Sequence, residues 1–105
     1  MSQFRAIVHY HFKKGHEEEG IKYLEEHLTK EISRHGGHHI EIFRDESQHG
    51  NVIGIAEWNN VDEAKKFQKH FSAIENEMSR FLSDKPSHHF YKLHWQHMPK
   101  IKKAA

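Results

Sequence analysis

Histidine is the residue type with the greatest capacity for chemistry in this 105-residue chain, which contains 13 of them. An imidazole can transfer protons near neutral pH or bind a transition metal. His9 and His11 alternate along a predicted strand and therefore lie on one side of it. The adjacent pairs His38-His39 and His88-His89 are expected to point to opposite faces of their strands, so that neither pair chelates an ion. Because no carboxylate stands at a suitable spacing, we expect no metal site.

His70 is the candidate catalytic base. It lies between Phe67 and Ile74 at the border of an apolar helical stripe, where partial burial can suit an imidazole to acid–base work. Tyr10 is the candidate catalytic hydrogen-bond donor. The candidate substrate-binding residues are apolar or aromatic: Trp58, Val8, Phe67, Phe71, Met78 and Tyr91. All of these residues also have a structural interpretation, as a half-buried histidine and as ordinary core side chains.

Composition excludes several classes of protein. The 16 Lys and Arg residues nearly balance the 15 Asp and Glu residues, which argues against a nucleic-acid partner. The absence of cysteine excludes disulfides and a thiol nucleophile. No apolar run approaches the roughly 20 residues of a membrane span, and residues 1–12 do not resemble a signal peptide. We therefore expect a cytoplasmic protein without a membrane partner.

The elements that position these side chains follow from two hydrophobic periodicities. Alternation predicts strands over residues 4–12, 38–44, 51–58 and 88–95. A period of three to four residues predicts one helix that begins near Glu17 and ends at Gly36-Gly37. A second helix begins after the N-cap Asn60 and extends to Phe81, with Ser72 as a possible break. We expect a single domain over residues 1–97 and a flexible basic tail over residues 98–105.

The order β-α-β-β-α-β predicts an α+β fold of the ferredoxin-like type, a four-stranded antiparallel sheet with both helices on one face. The opposite face carries a second, partly apolar set of side chains: Ile7, His9, His11, Phe43, Ile53, Ile55 and Glu57. Because so much apolar surface is unfavourable in water, we expect a homodimer formed through this face of the sheet.

The sequence resembles the antibiotic-biosynthesis monooxygenase family. The resemblance rests on the strand, Lys-Lys and Gly15 of residues 4–15, and on Ile55-Ala-Glu-Trp58 with the helix that follows. It implies a dimeric α+β barrel and, for part of the family, oxygenation of quinols and polycyclic aromatic compounds without a cofactor. The positions that the haem-degrading branch uses hold Val8, Phe67 and Glu77 here, so haem degradation is not expected.

Residues and resemblance together favour a cofactor-free monooxygenase that acts on a small hydrophobic, quinol-like aromatic molecule between sheet and helices. One alternative is a dimeric module that binds such a ligand without turnover. A second alternative, suggested by the histidine content, is a histidine-dependent metal or pH sensor.

Overall fold

The alternating segments form one antiparallel sheet in the computed structural model, which describes residues 4–97 and Pro99. Its strands are β1 (Phe4–His11), β2 (His38–Arg44), β3 (Asn51–Trp58) and β4 (Ser87–Lys92), in the spatial order β2-β3-β1-β4. The predicted bounds of β2 and β3 are confirmed. The end predicted for β4 is wrong, because the strand ends at Lys92, which pairs with Phe4, the first described residue of β1.

The first predicted helix consists of three consecutive segments. These are α1 (Glu17–Tyr23), a π-helical turn (Leu24–Leu28) and α2 (Thr29–Arg34), which we call the composite helix. The second helix, α3 (Val61–Met78), continues through Ser72, whose hydroxyl donates a hydrogen bond to the Lys69 carbonyl at 3.0 Å. The predicted N-cap is confirmed, since Asn60 Oδ1 accepts a hydrogen bond from the Glu63 amide at 2.9 Å.

Both helices cover the same face of the sheet, which confirms the ferredoxin-like architecture. Apolar side chains from sheet and helices form one core, whose largest fully buried members are Trp58, Tyr10, Phe71, Leu24 and Met78. Phe81 lies beyond the end of α3 but is buried in the same core. No helix in the described part of the chain has the length and hydrophobicity needed to cross a bilayer. Apart from Pro99, the predicted tail lies outside the described residues.

A β-bulge at the start of β2 corrects one expectation. The register of β2 against β3 shifts between His38 and Glu41, and His39 adopts a positive φ of 50°. The extra residue turns both imidazoles toward one carboxylate. His38 Nε2 lies 3.6 Å from Glu57 Oε2, and His39 Nδ1 lies 3.5 Å from Glu57 Oε1. The two histidines therefore do not point to opposite faces.

The face of the sheet opposite the helices, called the outer face here, carries the predicted mixture of apolar and histidine side chains. Phe43 and Tyr91 are 47% and 54% exposed. Tyr91 pairs with Arg5, and His89 pairs with Ile7, so these residues share the outer face. The His9 and His89 rings meet edge to face, with their centroids 5.4 Å apart.

Replacement of Gly20 tests how tightly α1 packs on the strand end. Alanine at an exposed helical position usually stabilises a protein by up to about 1 kcal/mol relative to glycine. A Cβ atom at Gly20 would lie 2.2 Å from Cε1 of Phe12, a buried ring. We expect Gly20→Ala to lower the free energy of unfolding by about 1–3 kcal/mol in urea denaturation.

The control for this change is the same substitution in a Phe12→Leu background. The smaller side chain relieves the overlap, so the loss caused by Gly20→Ala should shrink there. An equal loss of unfolding free energy in both backgrounds would mean that the Phe12 ring is not the reason why glycine is needed at position 20.

Candidate functional site

A small cavity lies between the inner face of the sheet and the two helices. Its volume is about 50 Å³, and its walls are almost entirely apolar. Val8, Tyr10 and Trp58 line it from the sheet, and Phe67 and Phe71 line it from α3. An apolar cavity of roughly 150 Å³ can hold a benzene molecule. The cavity must therefore enlarge before an aromatic ring can enter.

The π-helical turn forms part of the cavity wall through Leu24 and Leu28. Thr29 closes the turn, because both its amide and its hydroxyl donate to the Leu24 carbonyl, the hydroxyl at 3.2 Å. Such turns are rare in helices and occur often at functional sites. The departure from regular helix thus falls where the cavity lies.

Two buried donors belong to side chains that line the cavity. Tyr10 Oη and Trp58 Nε1 have no hydrogen-bond partner within the described residues. A buried polar group without a partner costs about 1–3 kcal/mol, and an acceptor atom of a ligand would recover that cost. Burial, assisted by the negative charge of Glu75, raises the pKa of the Tyr10 hydroxyl far above its usual range. Tyr10 therefore remains a donor throughout the physiological pH range.

His88 is the histidine that lines this cavity among the described residues. Its side chain is only 15% exposed, and its Nε2 atom lies 2.7 Å from Glu75 Oε1 on α3. The Phe71 ring packs edge to face against the imidazole, with the centroids 4.9 Å apart. Because a carboxylate accepts but cannot donate, Nε2 carries a proton in this hydrogen bond, and in the neutral imidazole the lone pair is then on Nδ1. Sequence reasoning missed His88 as a site residue.

His70, the predicted base, lies outside the cavity. Its side chain is 48% exposed, and its Nε2 atom lies 3.2 Å from Glu31 Oε2 on α2. At about 100° per residue, a position three residues after Phe67 lies roughly 60° away from it around the helix axis. This rotation turns His70 from the sheet toward the composite helix. Its catalytic role stays a prediction, without support from this position.

The predicted substrate-binding residues divide into two groups. Val8, Trp58, Phe67 and Phe71 meet at the cavity, where the Trp58 and Phe67 rings are 5.5 Å apart between centroids. Met78 is fully buried in the core but does not line the cavity. Tyr91 lies on the outer face, because its register with Arg5 directs it away from the helices. Met78 and Tyr91 are therefore not part of the cavity that the other four predicted substrate-binding residues line.

Comparison with known proteins relates the chain to others through its fold. No protein-family model matches the sequence, and a search of curated proteins finds no match. Solved structures do match, and among them are two that are named as antibiotic biosynthesis monooxygenases, from Nitrosomonas europaea and Bordetella bronchiseptica. The predicted resemblance to that class is confirmed at the level of the fold.

Three of these structures match over most of their length. A monooxygenase from Streptomyces coelicolor, in complex with the ligand nanaomycin D, has a TM-score of 0.76 and 12% identity over 92% of each chain. SnoaB, a cofactor-independent oxygenase from Streptomyces nogalater, has a TM-score of 0.74 and 12% identity over 93% of this chain and 98% of its own. A dimeric ferredoxin-like protein from an uncultured marine organism has a TM-score of 0.71 and 14% identity over 95% of each chain.

Removal of the Tyr10 hydroxyl tests whether this group serves stability or a ligand. Because no described residue offers this buried hydroxyl a hydrogen-bond partner, we expect Tyr10→Phe to leave the free energy of unfolding at pH 7 unchanged or to raise it by about 1 kcal/mol. The raised pKa of Tyr10 keeps its hydroxyl protonated in the folded protein, whereas the same hydroxyl ionises above pH ~10 in the unfolded chain. The stability of the wild type should therefore fall as the pH rises beyond about 10, and that of the variant should fall less.

Urea denaturation at pH 7 and at about pH 10.5 measures both effects. Tyr91→Phe is the matched control, because that ring is half exposed on the outer face. A loss of more than about 1 kcal/mol in Tyr10→Phe at pH 7 would show that the hydroxyl has a partner in the folded protein.

Proposed function

We propose that this protein is a cofactor-free monooxygenase for a small, hydrophobic, quinol-like aromatic substrate. The observation that carries the proposal is the apolar cavity, which is lined by Tyr10, Trp58 and His88. The donors of Tyr10 and Trp58 have no partner among the described residues, and His88 is paired with Glu75 behind it. The shared fold with two named oxygenases supports the same class of reaction.

A quinol-like substrate supplies its own electrons for the reaction. Removal of a phenol proton gives a phenolate, which transfers one electron to O₂ and forms a substrate radical and superoxide. These two combine through a carbon–oxygen bond to give a peroxide anion, which takes the proton back from the base. The resulting hydroperoxide loses water to give a quinone carbonyl. One oxygen atom enters the product, and the other leaves as water with the two hydrogens that the substrate loses. No external reductant is needed.

The residues at the cavity match the needs of this sequence. His88 accepts the phenol proton on Nδ1 while Glu75 holds Nε2–H, an arrangement that orients the ring and stabilises the imidazolium. Tyr10 donates a hydrogen bond to the oxygen that becomes negative. Trp58, Phe67 and Phe71 exclude water and hold the aromatic ring. His70 has no part in this scheme.

Oxygen uptake in the presence of reduced quinols and polycyclic phenols tests the proposal. We expect the protein to accelerate uptake and EDTA to leave the rate unchanged. His88→Ala should lower the rate by at least about 100-fold, the lower limit for a general base. Glu75→Gln should lower it by a smaller factor. Trp58→Phe should chiefly raise KM, because a wall residue acts through shape.

His70→Ala is the matched control, since it removes an exposed imidazole from the same protein. Near-normal turnover in this variant, together with loss in His88→Ala, places the base at His88. The reverse result would return the base to His70. Micromolar binding of these compounds without oxygen uptake would favour the alternative of a ligand-binding module.

We also propose that two copies associate through the outer face. Phe43 and Tyr91 expose large apolar rings there, and Ile7 and Ile53 lie between them on adjacent strands. One structure with this fold is described as dimeric, which supports the assembly. A second copy would remove this apolar surface from water.

Acidification tests this assembly. At pH 7.5 we expect a mass near twice 12.6 kDa by light scattering. Imidazoles protonate near pH ~6.5, and like charges on facing copies should weaken the dimer toward pH ~5. The charged and titratable groups on this face are Arg5, His9, His11, His38, His39, Glu41, Glu57 and His89.

The double variant His9→Gln/His89→Gln is the control, because these two rings have no carboxylate partner among the described ion pairs. It should remain dimeric at pH 5. A monomer at pH 7.5 would refute the assembly, whereas a wild-type dimer that persists at pH 5 would refute only the role of the histidines.

A further inference from the structure

Two imidazoles and a carboxylate lie together outside the cavity, where α2 ends against α3. Glu31 and His35 are one helical turn apart and share a face, and His70 projects toward them from α3. One ligand atom from each of the three lies within 4.8 Å of the others. We propose that Glu31, His35 and His70 form a binding site for a divalent transition-metal ion of the zinc type.

The donor set suits such an ion. Two imidazole nitrogens and one carboxylate oxygen form a three-residue zinc site, and water completes the tetrahedral coordination. Ligands about 2.0–2.1 Å from a tetrahedral zinc ion are about 3.3 Å from one another. The distance of 3.2 Å between His70 Nε2 and Glu31 Oε2 already has this value. The His35 ligand atom lies within 4.8 Å of the other two, so a small shift of its side chain would close the site, and the ion would displace the proton that His70 Nε2 donates to Glu31.

His35 is oriented by a hydrogen bond to a backbone carbonyl, as histidine ligands of metal ions usually are. Its Nδ1 atom lies 2.8 Å from the Glu31 carbonyl oxygen, which can only accept, so Nδ1 carries the proton and Nε2 carries the lone pair. Histidine ligands usually donate their second N–H to a carbonyl or carboxylate in this way, which fixes the ring orientation. The His35 ring also packs against Phe67 and His70, at centroid distances of 5.4 and 4.8 Å.

The neighbouring Arg34 does not contact Oε2 of Glu31, the oxygen proposed to bind the metal ion. Arg34 Nη1 lies 3.1 Å from Glu31 Oε1, whereas His70 contacts the other oxygen, Oε2. The Arg34 side chain is 70% exposed, so it can withdraw into water when an ion arrives. Glu31 Oε2 is therefore available as a monodentate ligand.

None of its three residues lines the cavity, so the proposed metal site shares no side chain with the proposed oxygenase site. The site bridges α2 and α3, so an ion that binds the folded chain should stabilise it. A histidine–glutamate ion pair without metal affinity is the competing explanation of the cluster.

Zinc titration of chelator-stripped protein without an affinity tag tests the site. Competition with a chromophoric chelator should show one tight Zn²⁺ ion per chain. His35→Ala, His70→Ala and Glu31→Gln should each weaken binding by at least tenfold and abolish the rise in Tm caused by Zn²⁺. His94→Ala, which removes an exposed imidazole away from this cluster, should bind as the wild type does.

A measurement on the unaltered protein keeps the test valid if a variant fails to fold. In imidazole NMR spectra, the first equivalent of Zn²⁺ should shift the ring nitrogens of His35 and His70 before those of any other histidine. Earlier shifts at other histidines, or binding that the three substitutions leave unchanged, would overturn the assignment. So would the absence of any tight Zn²⁺ site.

Discussion

The hydrogen-bond register of β1 is the constraint on which the site depends. This strand pairs with β3 on one side and β4 on the other, so its alternation decides which side chains of three strands face the helices. Val8 stands between Gly54 and His88, and Tyr10 follows on the same face. A Cβ atom at Gly54 would lie 3.3 Å from the Tyr10 ring, so the glycine gives that ring its room. A slip of one residue would bury His9 and expose Tyr10, at a cost that makes this register specific.

Much of the fold follows from local sequence patterns. The features that these patterns miss have a common physical cause, which is a dependence on hydrogen bonding rather than on hydrophobic spacing. The bounds of β2 and β3 are visible because turn residues, among them Gly36-Gly37 and Gly50, interrupt the alternation. The π-helical turn and the bulge at His39 each change the hydrogen-bond ladder by one residue. Leu24 and Leu28 keep a spacing of four, so the hydrophobic pattern does not reveal the altered hydrogen bonds. The end of β4 is set by strand pairing, which is a long-range property that the local pattern of residues 88–95 does not contain.

The candidate site is only partly predictable for a related reason. The helical stripe indicates Phe67 and Phe71 as core residues, and the alternation of β1 indicates Val8 and Tyr10. The alternation of β4 also places His88 on the same side as Phe90, a residue packed on the core, so the sequence does contain a signal for His88. The pairing with Glu75 comes only from the packing of α3 on β4. Periodicity places His70 at a border without specifying which neighbour it faces.

Phe67 connects the two functional faces of α3. Its ring contacts Trp58 at the cavity, and it also contacts His35 and His70 at the proposed metal site. The proposed aromatic substrate needs more space than the cavity of about 50 Å³ offers, so sheet and helices would have to move apart for it to bind. If α2 and α3 separate from each other, an ion held between them would oppose the opening. If both helices move away from the sheet as a unit, the same ion would preserve their mutual geometry and leave the entry free. The route of opening therefore determines whether metal binding and substrate binding are coupled.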